Sequence, residues 1–195
     1  MKTQVWAHRG ASAYAPENTL EAFRLAAEMG ADGVELDVQL SRDGELVVAH
    51  DETIDRVSNG TGYIKDYTLA QLKKLSFNRL FPNFKDARIP TLKEVYELLK
   101  PAGLTVNVEL KTGIILYPEI EEKVLALTAS MGMEDRVIYS SFCHPSLVRL
   151  KELDSGLKTG LLYSDGWIGA ADYGRRTVGA DALHPALYHM QDPDL

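Results

Sequence analysis

The chain has 195 residues, of which 45% are hydrophobic and 25% charged, and this composition is typical of one ordered globular domain rather than a fibrous or disordered chain. Its formal net charge of -7 argues against nucleic acid as a bulk partner. A single cysteine excludes an internal disulfide.

The N-terminal sequence predicts a strand, and we expect no targeting segment. The first residues lead directly into an alternating run over Gln4 to His8, with no apolar signal-peptide core. No apolar stretch approaches the length that crosses a bilayer. We therefore expect a cytoplasmic protein that has no stable association with a membrane.

A helix is predicted after this strand. Asn18 is the expected N-cap, and Glu21, three residues on, would complete a capping box. The apolar residues Leu20, Phe23 and Ala27 form the stripe that we expect this helix to bury.

A pair of strands follows the helix. A strand predicted over residues 33–40 leads into Ser41 to Gly44, which is typical of a tight turn, and a second strand covers residues 45–50. So short a link indicates an antiparallel hairpin, because a parallel crossover needs about a dozen residues or more. Residues 51–90 are less regular, and we expect a small insertion there with one short helix that begins near Thr68.

The rest of the chain alternates between helices and strands. Thr91 and Glu94 form the predicted capping box of a helix that Pro101 ends. Further strands are expected over residues 105–110, 137–142, 158–163 and 181–184. Helices are expected over residues 118–131, with Pro118 in the first turn, over 145–153 and near 170–177. This alternation predicts a parallel sheet covered by helices, as either a doubly wound sheet or a closed barrel.

Charged residues alternate with apolar ones along two of these strands. Glu35 and Asp37 share one face of the second strand, and Asn107, Glu109 and Lys111 share one face of the strand over 105–110. An amphipathic strand facing water is the plain alternative for each run. Parallel sheets, however, have both faces covered, so the charged faces favour a barrel into which they point.

Charges inside a barrel require partners. Three carboxylates from two strands suit a hard divalent cation, Mg²⁺ or Ca²⁺, and no Cys/His spacing indicates zinc. Lys111 would place a positive charge near a bound phosphate, or alternatively form a salt bridge to one of these carboxylates.

Two histidines end strands near the same cluster. His8 ends the first strand, and pairing around the tight turn places His50 almost opposite Leu36, within reach of the charged face. Histidine exchanges protons near neutral pH, and a neighbour such as Asp51 can fix its tautomer. One such histidine alone is more often structural, but two beside a carboxylate cluster favour catalysis.

The motifs, taken in order, resemble those of the glycerophosphodiester phosphodiesterases, in particular the bacterial cytoplasmic type. The early motifs are His8-Arg9-Gly10, Pro16-Glu17-Asn18-Thr19, Glu35-Leu36-Asp37-Val38, Asp43-Gly44 and His50-Asp51. The later motifs are Asn107-Val108-Glu109-Leu110-Lys111, Ser140-Ser141-Phe142 and Ala182-Leu183-His184-Pro185. The resemblance runs along essentially the whole chain, and the order and spacing of the motifs make it specific.

This resemblance implies an α/β fold, a TIM-type (β/α)8 barrel of the phosphatidylinositol-phospholipase-C-like phosphodiesterase type. The chain would form a single catalytic domain over residues 1–195, with a small insertion after the second strand over residues 51–90. Only six parallel strands are predicted, whereas a complete barrel typically needs about 250 residues. We therefore expect the closing strands to be missing from this chain.

The resemblance also implies hydrolysis of a small-molecule glycerophosphodiester to glycerol 3-phosphate and an alcohol. Carried over by position, the general acid and base are His8 and His50, and the ligands of the Mg²⁺ or Ca²⁺ cofactor are Glu35, Asp37 and Glu109. The phosphoryl oxygens would be bound by Arg9 and Lys111, and the glycerol pocket would be lined by Phe142 and His184. Asn18 would cap a helix and anchor its loop. The attacking group is either water or the 2-hydroxyl of the substrate.

Three other functions are alternatives to this one. A lysophospholipase D-like enzyme would need an apolar groove or a membrane-binding surface, and no basic amphipathic helix indicates one. A non-catalytic phosphate-ester binding module would not need an acid–base pair. A phosphatidylinositol-type phospholipase C also uses two histidines, but the Glu35/Asp37 and Glu109/Lys111 pairs favour the glycerophosphodiesterase.

Overall fold

The computed structural model describes residues 3–191. Its strands are β1 Trp6–His8, β2 Gly33–Leu40, β3 Leu46–Val48, β4 Thr105–Leu110, β5 Val137–Ser141, β6 Thr159–Tyr163 and β7 Ala182–Pro185. Its α-helices are α1 Leu20–Glu28, α2 Leu69–Leu72, α3 Leu92–Leu99, α4 Ile120–Ser130, α5 His144–Leu153 and α6 Ala170–Asp172. A π-helix, Tyr173–Val178, continues α6. Residues 1, 2 and 192–195, which the predicted domain includes, lie outside the described residues.

The order of the strands decides between the two architectures. Over residues 3–191, six parallel strands follow one another as β1-β2-β4-β5-β6-β7, and β3 pairs antiparallel with β2. A doubly wound sheet reverses its strand order at one point, whereas this order follows the chain throughout. The predicted hairpin and the six parallel strands are confirmed, and the order is that of a (β/α) barrel wall.

The main apolar core lies between this wall and its helices. Alternate residues of β2 and β4 point outward into it, and every one of them is buried: Val34, Leu36, Val38, Val106, Val108 and Leu110. They pack in one cluster with Phe23 of α1 and Tyr96 of α3. Because side chains alternate along a strand, the polar residues of β2 and β4 point to the opposite, inner face of the barrel wall.

The segment over residues 51–90 contributes to a second apolar cluster. This insertion cluster consists of Val47, Ala49, Ile54, Ile64, Leu72, Phe77 and Ile89. The predicted capping boxes form at α2, between Thr68 and Gln71, and at α3, between Thr91 and Glu94. The segment therefore folds over β3 with apolar contacts of its own.

The N-terminal end of α1 corrects the prediction for Asn18. Thr19 is the N-cap, and its side chain accepts a hydrogen bond of 3.3 Å from the backbone of Ala22. The capping box predicted between Asn18 and Glu21 was therefore wrong. Asn18 instead adopts a left-handed backbone, with φ 56°, and directs its side chain toward β2.

Two smaller expectations also differ from the structure. Pro118 lies before the first turn of α4, because that helix begins at Ile120 after Glu119, whose φ is 60°. The buried face of α1 is formed by Ala22, Phe23 and Ala26, so only Phe23 of the predicted stripe is fully buried. Among residues 3–191, none of the helices is both long and apolar enough to cross a membrane.

Candidate active site

Three carboxylates meet on the inner face of the barrel wall. The strand register pairs Asp37 of β2 with Glu109 of β4, and Glu35 lies two residues before Asp37 on the same face. One ligand oxygen from each of the three lies within 4.8 Å of the others. Asp37 and Glu109 are buried, and Glu35 is nearly so. The alternation of charge along the two strands therefore brings together the predicted cluster.

The three carboxylates of this cluster repel one another, so the cluster favours the binding of a positive charge. Burial raises the pKa of Glu35 well above its usual range, and the negative charges of Asp37 and Glu109 raise it further. Burial, followed by the charge of Asp37, also raises the pKa of Glu109, although Lys111 acts in the opposite direction. A proton or a cation must therefore offset the repulsion between these groups.

Two basic side chains border the cluster. Lys111 Nζ lies 2.9 Å from Glu109 Oε1 and 3.8 Å from Asp37 Oδ1, so it makes the salt bridge that was the alternative to phosphate binding. Arg9 Nε lies 3.6 Å from Asp37 Oδ2, and the backbone amide of Arg9 donates to Glu35 Oε2 at 3.1 Å. Both basic side chains therefore pair with carboxylates of the cluster.

The turn after β1 holds Arg9 in an unusual backbone conformation. Arg9 has φ 57°, in the left-handed region that non-glycine residues rarely occupy, and Gly10 follows with φ 76°. A Cβ on Gly10 would lie 2.7 Å from the carbonyl carbon of Ala22, so glycine is required where this turn meets α1. Backbone strain of this kind costs about 1–3 kcal/mol and tends to occur at functional sites.

His8 lies at the exposed edge of the same cluster. Its Nε2 atom is 3.8 Å from Glu35 Oε2. Partial desolvation, and then the positive charge of Arg9, lower the pKa of His8 from its ordinary value. At neutral pH the imidazole is therefore largely neutral, which is the form that accepts a proton.

His50 is held through both its side chain and its backbone. Its Nδ1 atom lies 2.7 Å from Asp51 Oδ1, as expected for a tautomer-fixing carboxylate. Gln39, fully buried on β2, donates its amide to the carbonyl oxygens of Ala49, His50 and Asp51 at 2.9, 3.2 and 2.7 Å. Tyr117 donates to Gln39 Oε1 at 2.9 Å and so fixes the orientation of that amide.

Sequence reasoning missed several residues of this site. Gln39 continues the alternation of Glu35 and Asp37, so the signal for it was present in the strand pattern. Asn18 was identified only as a helix cap and loop anchor, yet it donates to Asp37 Oδ2 at 2.8 Å. Arg56, in the insertion, carries no pattern that could have linked it to the site.

Several polar atoms around the carboxylates are buried without a hydrogen-bond partner. Over the described residues, six side-chain atoms are in this state: Arg9 Nε, Asn18 Oδ1, Asp37 Oδ1, Asn107 Oδ1, Ser140 Oγ and Tyr163 Oη. The first three belong to the contacts described above, and the strand register places Asn107 beside Glu35 and Ser140 beside Glu109. Native proteins rarely leave such groups unpaired, so this concentration fits a site completed by a bound group. Three of these atoms, on Asn18, Asp37 and Asn107, are amide or carboxylate oxygens, which suit Mg²⁺ or Ca²⁺ as ligands.

The two residues predicted for a glycerol pocket lie farther along the wall. Phe142 directly follows β5 and is about half exposed. The ring of His184, on β7, packs against the backbone of Gly160, and burial lowers its pKa. Among the described residues, neither forms a hydrogen bond or an ion pair with the carboxylate cluster.

Comparison with known proteins identifies relatives of this chain. A model of the glycerophosphoryl diester phosphodiesterase family matches residues 8–193. A protein of Caldanaerobacter subterraneus subsp. tengcongensis, named glycerophosphodiester phosphodiesterase, is 50% identical over 191 residues, which are 97% of this chain and 78% of that protein. A Bacillus altitudinis protein of the same name is 42% identical over 187 residues, which are 95% of this chain and 76% of that protein.

Solved structures share the fold. A glycerophosphodiester phosphodiesterase from Agrobacterium tumefaciens has a TM-score of 0.83 and 32% identity, covering 98% of this chain and 80% of its own. A phosphodiesterase from Oleispira antarctica, solved in complex with the product sn-glycerol-3-phosphate, has a TM-score of 0.82 and 33% identity, covering 94% of this chain and 74% of its own. These similarities confirm the predicted barrel fold.

Proposed function

Since this chain belongs to the glycerophosphoryl diester phosphodiesterase family, we propose that it hydrolyses glycerophosphodiesters with two histidines and one divalent cation. The membership establishes the class of enzyme, a phosphodiesterase. The cation, the residue roles, a cytoplasmic location and the small-molecule substrate are the parts that we propose.

Glu35, Asp37 and Glu109 would hold the cation, which is Mg²⁺ or Ca²⁺ by the chemistry of these donors. When bound, it would supply positive charge against the anionic phosphodiester. The raised pKa values of Glu35 and Glu109 and the unpaired buried oxygens beside them support this assignment. Lys111 and Arg9, which pair with the carboxylates, would also stabilise the negative charge of the phosphoryl oxygens.

The histidines would divide the proton transfers between them. His8, whose pKa is lowered, would accept the proton of the attacking hydroxyl, which belongs either to water or to the glycerol moiety. His50, with Nδ1 fixed by Asp51, would present Nε2 to the departing alkoxide and donate its proton there. The attacking oxygen forms a bond to phosphorus as the bond between phosphorus and the alcohol oxygen breaks. Attack by water gives glycerol 3-phosphate and the alcohol directly, whereas attack by the 2-hydroxyl releases the alcohol and gives a cyclic phosphate that water then opens to glycerol 3-phosphate.

The glycerol side of the substrate would lie toward Phe142 and His184. The Oleispira antarctica relative, whose structure holds sn-glycerol-3-phosphate, supports a glycerol phosphate product for this chain as well. The single observation that carries the proposal is the cluster of three carboxylates within 4.8 Å, bordered by Arg9 and Lys111. His8 lies at its edge, and His50 is near enough for its charge to act on Glu109.

One feature favours a second candidate substrate, a lysophospholipid. Large apolar residues stand exposed on the loops after β4 and β6: Ile114, Leu116, Trp167 and Ile168. The carboxyl ends of the parallel strands meet at the same mouth of a barrel, so these residues rim the entrance to the site. Such a rim would contact an acyl chain attached to the glycerol.

The direct test measures choline release from glycerophosphocholine and from lysophosphatidylcholine, together with the second product, which is glycerol 3-phosphate from the first substrate and lysophosphatidate from the second. Activity is expected to disappear with EDTA, to return with Mg²⁺ or Ca²⁺, and to fall about a thousandfold in His8→Ala and His50→Ala. Lys93→Ala, on the outer face of α3, is the control and is expected to retain full activity.

Cation-independent turnover, or full activity in either histidine variant, would overturn the proposed roles. Faster turnover of lysophosphatidylcholine than of glycerophosphocholine would replace the first substrate by the second.

A further inference from the structure

One side chain of the insertion extends to the active site. Arg56 lies six residues beyond His50, in the segment over residues 51–90 that folds over β3. Its guanidinium reaches two acidic side chains from different loops, Asp51 and Glu17. Neither of these carboxylates belongs to the proposed cation site.

The contact with Asp51 is bidentate. Arg56 Nε donates to Asp51 Oδ2 at 2.7 Å, and Nη2 donates to Oδ1 at 3.1 Å. The same Oδ1 accepts from His50 at 2.7 Å. Burial acts in the opposite direction, but the hydrogen bonds from Arg56 and His50 outweigh it and lower the pKa of Asp51 to about 2. Asp51 therefore stays ionised and in one orientation, facing His50 Nδ1.

The contact with Glu17 is also bidentate. Arg56 Nη1 donates to Glu17 Oε2 and Nη2 to Oε1, each at 2.7 Å. Glu17 Oε1 in turn accepts from Arg9 Nη1 at 3.0 Å. The Glu17 side chain is largely buried, so water competes little for its hydrogen bonds. A continuous chain of charged contacts thus runs from Arg9 through Glu17, Arg56 and Asp51 to His50.

We propose that Arg56 is a positioning residue that sets the orientation of His50 through Asp51 and that of Arg9 through Glu17. The inference rests on the proposed function, because it gives Arg56 a role through two residues assigned to the reaction. A planar guanidinium with a fixed fork of donors can satisfy two carboxylates bidentately at once, whereas the ammonium of lysine cannot.

The plain alternative is a surface ion pair of little consequence. Exposed pairs typically contribute about 0–1 kcal/mol, and the Arg56 side chain is 41% exposed. Against this stand four hydrogen bonds from one guanidinium and two acceptors that are only 15% and 26% exposed. Each acceptor also holds a residue of the site, which an incidental surface pair would not explain.

The experiment compares Arg56→Lys and Arg56→Ala with Arg79→Lys as the matched control. Arg79 lies in the same insertion, but its Nη1 atom donates to the backbone of Asp55 rather than to the site. In the cation-loaded protein, kcat on glycerophosphocholine is expected to fall about 10–100-fold in both Arg56 variants, with a smaller change in KM, because outer partners of functional groups typically have effects of this size. Methylguanidine is expected to restore part of the activity of Arg56→Ala only.

A second readout does not depend on turnover. Proton NMR of the wild-type protein is expected to show a downfield His50 Nδ1–H resonance, assigned by its loss in His50→Ala, and this resonance is expected to weaken in both Arg56 variants but not in Arg79→Lys. Unchanged kcat and an unchanged resonance in a folded Arg56→Lys would overturn the inference. A fall in kcat that matches only a fall in melting temperature, without any change in the resonance, would also overturn it. A wild-type protein without activity whose His50 resonance still responds to Arg56 would reject the proposed function while keeping the contact through Asp51.

Discussion

The two halves of the site differ in how completely their polar groups are paired. Around Glu35, Asp37 and Glu109, buried atoms lack partners and burial raises the pKa values of two carboxyl groups. Around His50, by contrast, Asp51 accepts three hydrogen bonds and Gln39 uses its whole amide group. The first half has polar groups that a bound cation could pair, and the polar groups of the second are already paired within the protein.

The largest expected effect comes from removing one charge in the first half. Asp37→Asn keeps the shape of the side chain but removes the negative charge that raises the pKa values of Glu35 and Glu109. We expect cation affinity, measured by calorimetry, and activity each to fall about a thousandfold. The cation-free variant is expected to melt at a higher temperature than wild type, since it buries less like charge.

The exposed Asp86, changed to Asn, is the control for this substitution and is expected to alter neither quantity. If the cation-free Asp37→Asn protein melted at a lower temperature than wild type, repulsion among the three carboxylates would not destabilise the cation-free protein, and the contrast between the two halves would be wrong.

A smaller effect is expected from pH on the cation-free protein. A carboxyl group whose pKa is raised by folding stabilises the fold while it is protonated, and this stabilisation is lost as the pH rises from its ordinary pKa of about 4.3 through the raised value. Glu35 and Glu109 both belong to this class. With EDTA, the melting temperature is expected to fall by several degrees as the pH rises above the ordinary pKa of a glutamate, and saturating Mg²⁺ or Ca²⁺ is expected to remove that fall.

Glu109→Gln tests the source of this pH dependence. With one titrating group removed, the fall in melting temperature with EDTA is expected to be shallower than in wild type. The same slope with and without a cation would show that the cluster does not hold one.

The smallest effect is expected in the second half, from Tyr117→Phe. The change removes one hydrogen bond to Gln39, which costs about 1 kcal/mol, or about 2–4 °C in melting temperature. We also expect kcat to fall a few-fold, because the amide that holds the carbonyl of His50 loses its fixed orientation.

Tyr96→Phe is the matched control for this prediction. Tyr96 is also buried and bonds Thr128 on the helix side of the sheet, so the variant is expected to lose similar stability without loss of kcat. If the two variants had equal kcat values, Gln39 would have no role in orienting His50.

The sequence was most informative where a periodic pattern repeats. Alternation along β2 and β4 was enough to place Glu35, Asp37 and Glu109 on one inner face, because strand geometry allows no other distribution. The strand and helix order followed from the same patterns and from two capping boxes.

The sequence was least informative where position depends on how separate segments meet. Asn18 and Thr19 are both good N-caps, so composition alone could not decide which of them starts α1. The contact between Arg56 and Glu17 joins residues 39 positions apart and exists only because the insertion folds back over the turn after β1. Local sequence preferences do not predict a contact of this kind.

The separate apolar cluster of the insertion has a consequence for motion. A segment with its own cluster is the kind of unit that opens cooperatively while the remainder of a protein stays folded, as hydrogen exchange detects. Ala49 belongs to that cluster, and the next two residues are His50 and Asp51. An opening of the insertion would therefore displace His50, the proposed proton donor, and leave the carboxylate cluster intact, so that the proposed catalysis would stop before the proposed cation site was lost.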